Sequence, residues 1–119
     1  MLPVTLVLGA SANAARYANI AVRRLVEHQR PVIAVGKRSA MIGDVPVITA
    51  WPTSPVDTVT IYLSPLNLKT WHAEILGSGL RRVIFNPGAE DPDFARALEA
   101  TGVEVVEGCT LVMLAAGTY

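Results

Sequence analysis

The chain has a single cysteine, Cys109, in 119 residues, which excludes an intrachain disulfide and any metal site built from clustered cysteines. No apolar run approaches the roughly 18 residues that a membrane-spanning helix needs. The opening Met1-Leu2-Pro3 carries no basic residue and the apolar run after it stops at Gly9, so the start does not read as a secretory leader. A soluble, cytoplasmic protein with no membrane partner is expected. The formal net charge of +0 argues against a large nucleic-acid surface. Linkers, repeats and low-complexity segments are also missing, so residues 1–119 read as one domain. A domain of that length buries roughly two-thirds of its unfolded surface and needs no covalent staple.

The zero net charge hides an uneven distribution. Up to Gly43 the basic residues are Arg16, Arg23, Arg24, Arg30, Lys37 and Arg38, against the lone acid Glu27; the remainder has four basic residues and nine acids. A cationic first third suits a phosphorylated ligand. Within it, Arg23, Arg24 and Arg30 read as residues that solvate a helix face and its end.

Apolar runs and breakers alternate along the chain. Val4 to Leu8 is a continuous run of the kind found in strands covered on both faces. Between about Arg16 and His28, Ala18, Ala21, Val22 and Leu25 fall at i, i+3, i+4 and i+7, which predicts a helix closed by Pro31. Strands are predicted at Val32–Val35, at Val45–Thr49 with Pro46 suggesting a sheet edge, and at Thr58–Leu63, Val83–Phe85 and Val103–Val106. Helices are predicted near Leu68–Leu76 and Pro92–Thr101, and Leu111–Leu114 as a short helix or extended cap. Successive βα units of this kind predict an α/β fold: a three-layer, doubly wound parallel sheet of about five strands in the order 3-2-1-4-5.

Such a sheet binds ligands beyond the carboxyl ends of its strands, where the strand order reverses. The turn Gly9-Ala10-Ser11-Ala12-Asn13-Ala14-Ala15-Arg16 lies there. Its small residues let a diphosphate approach helix amides that have no intrahelical partner and sit at the positive dipole end. The dinucleotide fingerprint GxGxxG is incomplete, because Ser11 and Ala14 stand where glycines belong. The acid that caps the ribose diol of NAD after the second strand is missing as well. Gly36 leads there into Lys37 and Arg38, which read either as partners for an extra ribose phosphate through charge-assisted bonds or as solvated loop residues. NADP and coenzyme A both carry such a phosphate.

No catalytic or metal-binding residues emerge. Cys109 reads as a small buried hydrophobe rather than a redox or acyl-accepting thiol. His28 and His72 form no metal spacing and read as structural or solvated. Glu90, Asp91 and Asp93 supply negative charge at a helix start. Asn86 and Gly88, like Ser64 and Pro65, read either as ligand contacts or as purely structural turn residues. Trp51, Trp71, Tyr17 and Tyr62 read as core or interface.

Several segments together resemble the small stand-alone coenzyme-A-binding domain proteins, which are similar to the Rossmann-like domain of the succinyl-CoA synthetase alpha subunit. They are Leu8-Gly9-Ala10-Ser11, Gly36-Lys37-Arg38, Ile42-Gly43-Asp44-Val45-Pro46-Val47, Pro55-Val56-Asp57-Thr58-Val59 and Gly102 to Leu111. The resemblance covers nearly the whole chain. It implies that Gly9, Ser11 and Arg16 meet the diphosphate, that Lys37 or Arg38 meets the ribose 3′-phosphate, and that Ile42 borders the adenine. Ala10, Asn13 and Gly36 belong to the same loops. Ala12 stands where many relatives have a charged residue, so backbone amides and Arg16 carry more of the phosphate binding. The phosphorylated histidine of the synthetase belongs to a second domain absent from these 119 residues.

These readings make a non-catalytic module that binds coenzyme A or an acyl-CoA the first expectation. An NADP-binding oxidoreductase fragment and a protein-interaction domain with a decayed nucleotide site are the alternatives. The apolar tail Leu111 to Ala116 is expected to offer a docking surface for a second copy or an acyl-CoA enzyme.

Overall fold

Thr5–Leu8 forms β1, and all four residues are buried in the computed structural model, which describes residues 3–119. Met1 and Leu2, on which part of the reading of the chain start rests, lie outside the described residues. Parallel neighbours flank β1 on both sides, β2 (Val32–Val35) and β5 (Thr58–Ile61), in continuous register from Thr5 opposite Val32 and Thr58 to Leu8 opposite Val35 and Ile61. The apolar run is therefore a central strand. Beyond β2 lies β4 (Val45–Ile48), and beyond β5 lie β6 (Arg82–Phe85) and β7 (Glu104–Glu107), all parallel.

Among the described residues the sheet has seven strands in the order β3-β4-β2-β1-β5-β6-β7, with β3 over Ala40–Ile42, which corrects the expected count of about five. The expected order survives as its central part. The strand predicted at Val103–Val106 is β7, which extends the 3-2-1-4-5 set at one edge. The strand not predicted is β3, antiparallel to β4, which turns through Gly43 (φ 58°) and Asp44 to pair Ile42 with Val45. Pro46 is thus not on the sheet edge. It lies opposite Met41, and the ladder between β4 and β2 begins only at Val47, so no bond to β2 is lost.

Side-chain alternation builds a core on each face. On one face Leu6, Leu8, Val59, Ile61, Val83 and Phe85 pack under Leu68, Ile75, Phe94 and Leu98. Those residues come from the helical segment α2 (Pro65–Leu68) to α3 (His72–Leu76) and from α4 (Pro92–Ala100). On the other face Val7, Ala34 and Val47 meet Ala18, Val22 and Leu25 of α1 (Tyr17–Glu27) and Leu114 of α5 (Thr110–Ala116). The arrangement is the expected three-layer α/β/α. The segment near Leu68 starts earlier than predicted: Ser64 caps it, Pro65 takes the first helical position, and a 3-10 turn over Lys69–Trp71 interrupts it. The tail does not remain an exposed docking strip, since Leu114 is buried against α1 and only Val112 among its large side chains stays well exposed. No helix among the described residues is long and apolar enough to cross a membrane.

Asp57, just before β5, accepts two bonds from Arg81, from Nε at 3.0 Å and from Nη2 at 2.9 Å, and one from Thr58 Oγ1 at 2.8 Å. The Arg81 bonds hold its carboxyl below the usual carboxylate range. A lowered folded-state value means that the stabilisation is complete well above the unfolded carboxyl's value of about 4, where both states are ionised. It is lost as pH falls through the folded-state value. Arg81 is 56% exposed, so solvent screening limits the pair to about 0.5 kcal/mol. Asp57→Asn should lower the urea midpoint slightly at pH 7, and that difference should vanish in acid.

Candidate functional site

The loops after β1, β2, β4, β5 and β6 open at the same end of the sheet, and between them lies a cleft of about 1020 Å³. It sits across the β1–β5 junction, where the chain reverses its direction of winding. Gly9 turns the chain out of β1 at φ 98°, a conformation that side chains resist, with Tyr62 and Leu63 close behind it. Gly9 N and Ala10 N both donate to Val35 O at 2.9 Å, which ties the turn to the end of β2.

From Ser11 to Arg16 the loop is held by its own polar groups. Asn13 N donates to Ser11 Oγ at 3.1 Å, Ala15 N to Asn13 Oδ1 at 3.0 Å, and Arg16 N to Asn13 O at 3.0 Å. The amides of Ala12 and Ala14, and those of Tyr17, Ala18 and Asn19 in the first turn of α1, have no acceptor among the described residues. Free donors at a helix start suit an anion. No acidic residue lies in that first turn to compete.

Lys37 and Arg38 project from the next loop, which approaches the first so closely at Gly36 that a Cβ there would lie 2.2 Å from Ala10 O. Both are exposed, and neither they nor Arg16 has an ion-pair partner among the described residues. The described cleft lining thus holds three cations and no carboxylate, imidazole or thiol. Around them stand the hydroxyls of Ser11, Ser39, Thr49, Ser64 and Thr70 and the amide of Asn67.

Nine of the thirteen residues singled out in the sequence line this cleft: Gly9, Ala10, Ser11, Arg16, Gly36, Lys37, Arg38, Ser64 and Gly88. Ser64 Oγ also accepts the Asn67 amide, at 3.4 Å. The structure does not bring the other four to it. Asn13 spends its side chain closing the loop, Ile42 is 4% exposed in the core beside α1, and Pro65 starts α2 outside the lining. Asn86 is 2% exposed, and its amide is used by Thr60, Ile61 and Thr110. Gly88 turns at φ 91° while its N–H is taken by Glu90 Oε1 at 2.9 Å, and Asp91 caps α4 through Phe94 N.

Trp51, Trp71 and Tyr62 pack against the core as expected, and Tyr17 departs from that reading. Tyr17 is 70% exposed on the cleft wall rather than in the core. Tyr62 and Trp71 also line the cleft, with Trp71 tilted against Trp51 at 6.1 Å. The Tyr62 hydroxyl is buried without a partner among the described residues, and burial pushes the phenol up to about 12, so it stays neutral at physiological pH. His72 stacks on Phe94 at 3.7 Å. Cys109 is half-buried at the start of α5 rather than in the core. Arg30 and Arg82 flank the Tyr119 ring at 4.7 and 4.4 Å, so Arg30 is not simply solvated. Among the described residues no His, Cys, Asp and Glu group could hold a metal ion.

A family model described as a CoA binding domain matches residues 4–115. No curated protein matches the chain. Among solved structures, a crystal structure of an uncharacterized protein is 41% identical, with 100% of this chain and 99% of that chain covered, at a TM-score of 0.95. Cell-free ID.343 from Thermus thermophilus is 24% identical, with 99% and 91% covered, at a TM-score of 0.87. The fold also recurs in a dinucleotide-forming acetyl-coenzyme A synthetase 1 from Ca. Korarchaeum cryptofilum, solved with phosphate and ADP. That likeness is 14% identical over 88% of this chain and 25% of that one, at a TM-score of 0.73.

Proposed function

This chain belongs to the CoA binding domain family, and from that premise we propose that it holds coenzyme A or an acyl-CoA in the cleft as a binding module rather than a catalyst. The observation that carries the reading is the charge of the cleft, whose described lining has Arg16, Lys37 and Arg38 with no acid among them. A ligand with a diphosphate and a ribose phosphate matches that pattern. In this reading the diphosphate lies on the free amides of the loop after β1 and the start of α1, with Arg16 beside it. Lys37 and Arg38 take the 3′-phosphate. The pantetheine arm runs toward Ser64 and Gly88. Without a carboxylate, imidazole or thiol on the walls, holding the ligand suits the site better than acid–base or covalent chemistry.

Calorimetric titration with coenzyme A, dephospho-CoA, NADP and NAD tests this. Coenzyme A should bind more tightly than dephospho-CoA. Lys37→Ala with Arg38→Ala should weaken coenzyme A by about ten- to a hundredfold, the loss expected for charge-assisted bonds to one phosphate, and leave dephospho-CoA unchanged. A preference for NADP would replace the ligand in this reading, and no binding by any of the four would refute it.

A further inference from the structure

α1 carries two polar residues one helical turn apart, Asn19 and Arg23, that the cleft itself does not use. Asn19 is buried, at 3% exposure, in a face otherwise made of Ala18, Ala21, Val22 and Leu25. Its Nδ2 donates to Ser11 O at 2.8 Å, and its Oδ1 accepts from Arg23 Nε at 2.8 Å. Arg23 also donates through Nη2 to Ala14 O at 2.9 Å. We propose that Asn19 and Arg23 are positioning residues that set the phosphate loop in its anion-receiving shape before a ligand arrives, an inference that rests on the ligand reading above.

The argument is one of peptide geometry. In a trans peptide the N–H points opposite to the C=O. With Ser11 O drawn toward α1 by Asn19, the N–H of Ala12 is turned away from the helix, and Ala12 is part of the cleft lining. With Ala14 O drawn back by Arg23, the next N–H, that of Ala15, is directed at Asn13 Oδ1, the bond that closes the loop. The guanidinium also fixes which way the Asn19 amide faces. Nε requires Oδ1 on its side, so Nδ2 must face Ser11, and a flipped amide would set two oxygens against each other. Two of the loop's carbonyls are therefore fixed from behind, and the ordering entropy that a floppy loop would lose on binding is already spent.

Arg23 is exposed, so its replacement should leave the protein folded, and it carries the test. Without ligand, Arg23→Met should lower the ¹⁵N order parameters of Ala12 to Ala15 on the ps–ns scale and leave the rest of α1 unchanged. With ligand, it should weaken coenzyme A and dephospho-CoA by the same factor, on the order of tenfold, leaving their ratio as it was. Arg23→Lys keeps the charge but lacks the forked donors, and should restore neither loop order nor affinity. Full affinity in Arg23→Lys would show that charge alone matters and overturn the bracing role. So would an unchanged loop in Arg23→Met, or a change in the ratio of the two ligands, which would put Arg23 on the 3′-phosphate. Failure of the unaltered protein to bind coenzyme A would refute the ligand reading, and the loop measurement without ligand would still decide the brace.

Discussion

Gly36→Ala should destabilise the protein by about 3 kcal/mol, the upper part of the range for a forced methyl in a packed site, and weaken coenzyme A by at least tenfold. Gly36 needs no unusual backbone angle; it is required by proximity. Its added Cβ would lie 2.2 Å from Ala10 O and 3.1 Å from Val47 Cγ1. Relief by motion is blocked on both sides. Gly36 N is bound to Ile48 O at 2.9 Å, and the opposing turn is tied to β2 through the two bonds that Val35 O accepts from Gly9 N and Ala10 N. The segment that must yield is therefore Gly9–Ala10, at the root of the phosphate loop, which is why stability and affinity should fall together. Gly102→Ala, outside the cleft lining, is the control. It meets nothing within 4 Å and has only its φ of 90° to oppose a side chain, so about 1–2 kcal/mol is expected. Urea midpoints and coenzyme A titrations on the two variants check this, and a Gly36→Ala protein with normal values for both would show that the loops are less tightly joined than their bonds imply.

The parts of this architecture that were legible in the sequence depend on local periodicity. Thr5–Leu8 and Val32–Val35 are apolar throughout because both faces of the sheet are covered, and the buried stripe of α1 falls where the i, i+3, i+4, i+7 spacing puts it. β3 was readable too, since Gly43-Asp44 is a two-residue hairpin turn between Ile42 and Val45. Pro46 obscured it by suggesting an edge, when the hairpin partner supplies that edge. In the site, loop membership could be read and side-chain direction could not. Lys37 and Arg38 line the cleft as exposed residues of the loop after β2. Asn13 and Asn86 turn away because acceptors and donors elsewhere claim their amides. Thr70 and Trp71 line the cleft from the 3-10 turn that breaks the helical segment after β5, and no local pattern marks that break. Arg23 reads from the sequence as a residue that solvates a helix face, and no local pattern marks the bonds it makes to Asn19 Oδ1 and Ala14 O.

Asn86→Ala tests the most consequential of these differences, because a residue expected beside the ligand serves as a joint inside the protein. Asn86 Nδ2 donates to Thr60 Oγ1 at 2.7 Å and to Ile61 O at 2.9 Å, while Oδ1 accepts from Thr110 N at 2.9 Å. Thr60 and Thr110 share a further hydroxyl bond at 2.7 Å, and both are fully buried. One amide thus ties the end of β6 to β5 and to the first residue of α5. Alanine removes three bonds and strands the Thr110 N–H where water does not reach; buried unsatisfied groups cost about 1–3 kcal/mol each. A loss of about 3 kcal/mol is expected, read from urea or thermal unfolding. Asn86→Ala combined with Thr60→Val should cost less than the sum of the two single changes, because both break the same network. The loss should fall on stability rather than on binding, since the side chain lies outside the cleft lining. Under conditions where the variant is folded, its affinity for coenzyme A should stay within about threefold of the original, well under 1.4 kcal/mol. A tenfold loss of affinity with stability preserved would reverse this and place the Asn86 amide on the ligand.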